Sequence, residues 1–374
     1  MRHPISNAAL DEGDIAIIGQ KGKGKSFAGR GLAERLIARG RRVIVLDPMS
    51  SWWGLRVSRD GAHAGSPVVV VGGDHADIAI TPDMGRLVGK FLLGSKVSAV
   101  IDLGAMRKPA LYEFSAQLLE ELYHGNREPL WIVLEEADVW APQGARGEEQ
   151  KAVLAEVEML ARRGRARGFR LISISQRPAK LHKDVLTQFR TMIAFALPGL
   201  HDRRAVRDWM EGQTADVEAI YNSLPTLEVG EAWIWTPDRN ELRRERFPDI
   251  KTLDTSATPK ARQARMRGSA FSRRELEDLQ QAFDALVPGR AIVRRGPREK
   301  RATASVAGDA IARLRTAARL TQSELGSLIG TDQANIARLE TGRSLATSRT
   351  LERIAEATGH QLAIDFRPGL GAKE

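Results

Sequence analysis

The chain has 374 residues, 42% of them apolar and 28% charged, which excludes a wholly disordered or fibrous polymer and suits two or three domains of roughly 150 residues each. The absence of cysteine removes disulfide frameworks, thiolate metal sites and cysteine nucleophiles together, and no apolar run approaches the roughly 18 residues of a spanning helix. A net charge of +10 is unevenly placed: residues 1–250 hold 35 basic and 33 acidic side chains, residues 251–301 hold 13 and 6, and residues 302–374 hold 9 and 8. With no signal-peptide core at its start, the chain is expected to be cytoplasmic and to have no membrane partner.

In chain order, apolar runs rich in β-branched residues recur at 14–19, 42–46, 68–71, 98–103, 130–134, 170–175, 191–197 and 232–235, with helical patterns between most of them. Short buried strands alternating with amphipathic helices predict an α/β domain built on a mostly parallel sheet with helices on both faces. The pattern stops near residue 250. We therefore expect three segments: an α/β domain over 1–250, a basic connector over 251–301 with one helix at 272–286, and a small second domain over 302–374. The connector reads either as a self-repelling linker or as a nucleic-acid contact. The last domain is expected to be helical, with turns at Gly330, Gly342 and Gly359 and one short strand at 361–366.

The first run ends in Gly19-Gln20-Lys21-Gly22-Lys23-Gly24-Lys25-Ser26, which fits G-x-x-x-x-G-K-[ST] between a strand and a helix. Glycines let backbone N–H groups close around phosphate oxygens, and the following helix presents its positive end to them. Lys25 would reach the β and γ phosphates of ATP, and Ser26 would hold Mg²⁺ through its hydroxyl. The run at 130–134 delivers Glu135-Glu136 to a carboxyl strand edge, where ligands of open α/β sheets bind. One carboxylate of this pair would order the metal shell while the other would orient or deprotonate the attacking water. The run at 170–175 ends in Gln176, an amide placed to sense the γ-phosphate.

Taken together, Gly19 to Ser26, Glu135-Glu136-Ala137-Asp138 and Ser175-Gln176-Arg177-Pro178 resemble the HerA/FtsK-type ATPases over about residues 14–250. The resemblance implies a RecA-like P-loop NTPase of the ASCE group, an oligomer, by expectation a hexamer, that moves double-stranded DNA. It implies Glu136 as the catalytic glutamate, Gln176 as the sensor, and Asp47-Pro48 as the family's acidic turn. Arg165 would act across a subunit interface on the transition-state charge. Glu135 departs from the family's usual Asp by one methylene, which bears on metal geometry and the rate of hydrolysis. A nuclease or mobile-element protein is a further partner class. Since the phosphate loop begins at Gly19, the N-terminal barrel of the archaeal HerA helicases is not expected here, nor is docking to the nuclease that works with them.

In the last segment, Thr321-Gln322-Ser323-Glu324 has the capping pattern that starts a helix, and Asp332 is placed to cap a second. Gln322, Gln333, Asn335 and Arg338 are the candidate DNA-binding residues, since amides and guanidinium groups on such helices suit major-groove base edges. Residues 309–359 resemble the Cro and phage-repressor (Xre) helix-turn-helix family; a protein-interaction role on the same scaffold is the alternative. The leading expectation is an ATP-hydrolysing DNA translocase or remodeller recruited by the helix-turn-helix. The alternatives are an ATP-switched transcriptional regulator without translocation, and a DNA-packaging or transfer ATPase of a mobile element.

Overall fold

The computed structural model describes residues 3–211, 216–255, 270–287, 306–341 and 348–360, and the chain divides into two compact units, Met1–Ile292 and Val293–Glu374. In the first unit the strands are β1 (Ile15–Ile18), β2 (Arg42–Asp47), β3 (Val68–Val71), β4 (Ser98–Asp102), β5 (Leu130–Leu134), β6 (Phe169–Ser175), β7 (Thr191–Ala194), β8 (Glu231–Thr236) and β9 (Glu241–Arg246). Helix α1 (Asn7–Glu12) precedes β1, and between the strands run α2 (Lys25–Ala38), α3 (Gly85–Ser95), α4 (Lys108–Gly125), α5 (Glu148–Arg163), α6 (Lys183–Leu186), α7 (Leu200–Met210) and α8 (Val217–Ser223), with α9 (Arg273–Asp284) following β9.

The sheet order is β3-β4-β2-β5-β6-β1-β7-β8-β9. Strands β1 to β7 pair in parallel, and β8 and β9 add an antiparallel edge. Alternate residues of one strand enter opposite cores because the side-chain period of a strand is two. Thus Ile15, Val43, Val45 and Val68 pack in one apolar layer with α2 and Trp52, while Ala16, Ile44, Leu46 and Val69 pack in the other with α3, α4 and α5. Burial on both faces is why these strands read as continuous apolar runs. The order also sets β6 between β5 and β1, so three strand tips needed for one site stand side by side.

Strand β9 is Glu-Leu-Arg-Arg-Glu-Arg and has no apolar run to predict it. It forms because β8 offers a register in which Glu231 opposes Arg246 and also receives the guanidinium of Arg244 at 2.8 Å. Charge on an edge strand also opposes further strand pairing. The connector helix is present as α9, capped by Ser272 with Glu275 completing the capping box. It is docked rather than free: Phe283 is buried and meets Phe91 of α3 edge-on, with ring centroids 5.6 Å apart.

The second unit contains α10 (Val306–Ala317), α11 (Gln322–Leu328), α12 (Gln333–Glu340) and α13 (Ser348–Ala357). Both expected caps form: Thr321 and Glu324 make a capping box, and Asp332 Oδ1 accepts the Asn335 amide at 2.7 Å. Gly330 takes φ +65° between the two helices, a conformation glycine adopts without steric cost. Ile311, Leu325, Ile329, Ile336, Leu339 and Ile354 form the core. Beside it, Arg315 Nε and Glu340 Oε1 pair at 2.6 Å. The expected turn at Gly342 and strand at 361–366 lie outside the described residues.

One half-buried acid sits at the amino edge of the sheet. Asp14 precedes β1 and accepts the Leu171 amide at 2.6 Å, and burial pushes its carboxyl from 3.8 up to about 6, against that hydrogen bond and the nearby Arg170, Arg190 and Arg165. The folded state therefore holds this proton more tightly than the unfolded chain, and its contribution to stability falls as pH rises from 3.8 through about 6. Asp14→Asn is expected to raise the melting temperature relative to the parent above pH 6, with the gap closing below pH 4. Thermal denaturation across that range checks this, and a gap that does not vary with pH contradicts it.

Candidate functional site

The phosphate loop leaves β1 at Gly19 and enters α2 at Gly24, which caps the helix at φ +107°. A side chain there would also press on Gly230 Cα and Phe195 Cε1, each 3.3 Å from an added Cβ. The loop is anchored by backbone bonds: the Gly19 amide donates to Ser175 O at 3.3 Å, the Gln20 amide to Ala196 O at 2.8 Å, and Gly230 N to Lys23 O at 3.1 Å. Lys25 is buried, and its Nζ donates to Gln20 O at 3.1 Å. Burial lowers its pKa, opposed by Glu136, Glu135 and Asp138.

Ser26, on the first turn of α2, donates its hydroxyl to Glu135 Oε1 at 2.7 Å. The other carboxylate oxygen accepts Trp52 Nε1 at 2.9 Å, so both oxygens of Glu135 are oriented. Burial pushes this carboxyl up to about 7, opposed by those two donors and reinforced by Asp47 and Glu136. Trp52 is delivered by the acidic turn after β2, where the Asp47 carboxylate accepts the amides of Met49, Ser51 and Trp52 at 2.9, 2.6 and 2.7 Å. Arg30 of α2 is 1% exposed; it donates to Ser51 O at 2.5 Å and lies 5.5 Å from the Trp52 ring centroid. Trp52 and Arg30 thus brace Glu135. No sequence motif marks an indole or a buried guanidinium for this task.

Glu136 takes φ +47°, a left-handed backbone that costs an acidic residue energy and is found at functional sites. It is half-buried. Burial and Asp138 raise its pKa, while Lys25 and hydrogen bonding from Gln176 lower it. Gln176 is positioned by β6, whose last residue Ser175 donates to Asp138 at 2.9 Å and accepts the Arg177 amide at 3.0 Å. Lys21, Gly22, Gly24, Lys25, Ser26, Glu135, Glu136 and Gln176 line one cavity of about 630 Å³. That volume lies within the ordinary range for small-molecule sites. A smaller cleft of about 280 Å³, beside Glu12, Arg190 and Asp238, lies elsewhere on the unit.

Arg165 is not brought to this cavity. It sits in the turn Gly164–Arg167 that precedes β6, exposed, with its charge acting on Asp14 and Arg170 at the amino edge of the sheet. The full length of β1 separates Asp14 from Gly19, so any action of Arg165 on a phosphate site would be on a neighbouring subunit. His182 stands beside Glu158 and Asp184, but Asp184 is paired with Arg162 at 2.5 Å and the group is partly exposed.

In the second unit the four candidate DNA-binding residues divide. Gln333 and Arg338 are exposed on α12. Asn335 is half-buried and donates its amide to Thr331 Oγ1 at 2.9 Å. Gln322 donates Nε2 to Glu340 Oε2 at 2.8 Å, joining the Arg315–Glu340 pair, so its amide braces α11 against α12 instead of standing clear for a base.

A helix-turn-helix domain model matches residues 307–363, and the second unit is such a domain. Part of the chain is similar to the DNA double-strand break repair helicase HerA of Pyrococcus furiosus, at 32% identity over 123 residues, covering 33% of this chain and 21% of that protein. It is likewise similar to the probable HerA of Methanocaldococcus jannaschii, at 31% identity over 117 residues, 31% of this chain and 22% of that one. The matched part thus spans only about a fifth of these relatives. Among solved structures, the bacterial conjugative coupling protein TrwBdeltaN70 aligns with TM-score 0.48 at 11% identity, over 68% of this chain and 90% of that one. The DNA-packaging ATPase B204 of Sulfolobus turreted icosahedral virus aligns with TM-score 0.44 at 15% identity, over 64% and 99%. A HerA-like segment and a helix-turn-helix domain therefore stand on one chain.

Trp52→Phe keeps an aromatic ring at a buried position and leaves Glu135 Oε2 without its indole donor. The Mg²⁺ concentration for half-maximal nucleotide binding is expected to rise about tenfold, with a loss of about 1–3 kcal/mol in stability. Titration of a fluorescent nucleotide against Mg²⁺ checks this; an unchanged Mg²⁺ dependence contradicts the bracing role.

Proposed function

We propose that this chain hydrolyses ATP to move or remodel double-stranded DNA, onto which its helix-turn-helix domain recruits it. The observation that carries the reading is the convergence of Lys25, Ser26, Glu135, Glu136 and Gln176, from three adjacent strand ends, on one cavity. Lys25 and the loop amides hold the phosphates. Ser26 and Glu135 present oxygen donors 2.7 Å apart, which fits a hard cation such as Mg²⁺. When bound, that ion neutralises charge on the β and γ phosphate oxygens. Glu136 holds and partly deprotonates the attacking water, while Gln176, beside it, registers the γ-phosphate. Arg165 completes the site across a subunit boundary, which makes the active form a homo-oligomer, with a hexameric ring as the working model.

On the second unit, Gln333 and Arg338 face the DNA, with Asn335 near them. Two DNA-directed elements on one chain raise the local concentration of DNA at the motor, so a helix-turn-helix of modest affinity suffices for loading. A second reading, an ATP-switched regulator with hydrolysis as a slow reset, is favoured by one observation: both oxygens of Glu135 are already engaged, by Ser26 and Trp52.

Steady-state hydrolysis with and without long double-stranded DNA separates the two. The motor reading expects DNA to raise turnover severalfold, and Lys25→Ala and Glu136→Gln to abolish it, with Glu136→Gln retaining nucleotide binding. Nucleotide binding with background turnover, indifferent to DNA, would transfer the case to the regulator.

A further inference from the structure

A second set of ligand-type side chains lies outside the lining of the phosphate cavity. Glu158 of α5, His182 at the start of α6 and Asp184 within it each offer one ligand atom, and these atoms lie within 4.8 Å of one another. Glu158 and His182 are half-buried and Asp184 is exposed. The backbone holds the set in place. His182 N donates to Ala141 O at 2.8 Å, and the amides of Val185 and Leu186 donate to His182 O at 3.1 and 3.0 Å. Gln143 N donates to Lys180 O at 2.7 Å, and Lys183 N donates to Gln143 Oε1 at 3.0 Å. The segment that follows Gln176 is thus joined to the one that follows Glu136. It delivers the imidazole to the face of α5 that bears Glu158 and, one turn on, Arg162.

The imidazole is the informative member. Its Nδ1 is closed to solvent and makes no hydrogen bond among the described residues, although Glu158 Oε1 is 3.0 Å away. The oxygen therefore stands off the line along which the nitrogen would donate or accept. Two ligands of one ion show that relation. With metal–nitrogen and metal–oxygen distances of about 2.0–2.1 Å and a near-tetrahedral angle, the two ligand atoms are roughly 3.0–3.4 Å apart and the ion sits on the nitrogen lone pair. Leaving a buried nitrogen without a partner is costly, and a cation between Nδ1 and Oε1 would satisfy it. Asp184 supplies a third donor. Its Oδ2 takes Arg162 Nη2 at 2.5 Å, but a carboxylate has about four lone-pair sites, and such a partner orients an acid that ligates a metal. An imidazole with two carboxylates suits a borderline divalent ion, whereas calcium and magnesium take oxygen ligands. We propose that Glu158, His182 and Asp184 form a cation site of the zinc class, with its fourth position open to water, that clamps α6 to α5. The site stands apart from the nucleotide reading. Its role is structural: it fastens the segment leading away from Gln176 onto α5.

The test uses the full-length chain, stripped with a chelator and returned to excess Mg²⁺, which occupies oxygen-only sites, with Zn²⁺ as the probe. Calorimetric titration is expected to show one Zn²⁺ bound with micromolar or tighter Kd, and saturation to raise the melting temperature by about 3–5 °C. His182→Gln and Glu158→Gln are each expected to weaken Zn²⁺ binding about a hundredfold and to abolish the thermal shift. Co²⁺ in place of Zn²⁺ is expected to give the strong visible absorption of a four-coordinate ion. No uptake of Zn²⁺ by the parent chain in the micromolar range overturns the site. So does uptake that both variants retain, which would mark an adventitious ion on others of the seven histidines. Should a variant fail to fold, anomalous diffraction at the zinc edge from Zn²⁺-soaked crystals of the parent decides the matter. Density about 2.0–2.1 Å from His182 Nδ1 supports the site, and none there overturns it.

Discussion

The hydrogen bond from Ser26 to Glu135, spanning 109 positions in the chain, is the contact on which the rest of the site depends. It ties the first turn of the phosphate-loop helix to the end of β5, and it does so with a carboxylate that is only 4% exposed. Burying such a group is costly unless its oxygens are matched. The match is supplied by Ser26 on one oxygen and Trp52 on the other. Trp52 is itself held by Asp47 and capped by Arg30, so residues from β2, α2 and β5 share one constraint. Loosening any of them would free the acid that the proposed function assigns to the metal shell.

From that constraint the division of labour between the two acids follows. Glu135 is braced and buried, suited to hold geometry; Glu136, one residue on, is turned out by its left-handed backbone into the cavity beside Gln176. The same cavity is lined beyond the phosphate loop by Asp254 and Thr255, which follow β9.

Much of this was legible in the sequence because burial on both faces leaves a strong mark. The runs at 68–71 and 130–134 coincide with β3 and β5, and the helix caps at Thr321 and Asp332 form as their patterns indicate. Strand β9 was invisible, since five of its six residues carry charge and its pairing is decided by β8. Trp52 and Gln322 show a second limit. A side chain's type does not say which partner it will meet, and here an indole orients an acid, while an amide expected to face DNA holds Glu340. Arg165 shows a third: its place along the chain resembles an interface arginine, yet its surroundings are the amino edge of the sheet. The prominence of α9 on α3 also depends on Phe283 finding Phe91, which no local pattern encodes.

The central claim is that hydrolysis at this cavity moves the protein along DNA. Displacement of a third strand from a triplex placed beyond the loading region of a duplex tests it most directly. The account predicts displacement by the parent chain with ATP and Mg²⁺, and none by Glu136→Gln under the same conditions. Sustained ATP hydrolysis and duplex binding with no displacement of the third strand would contradict it.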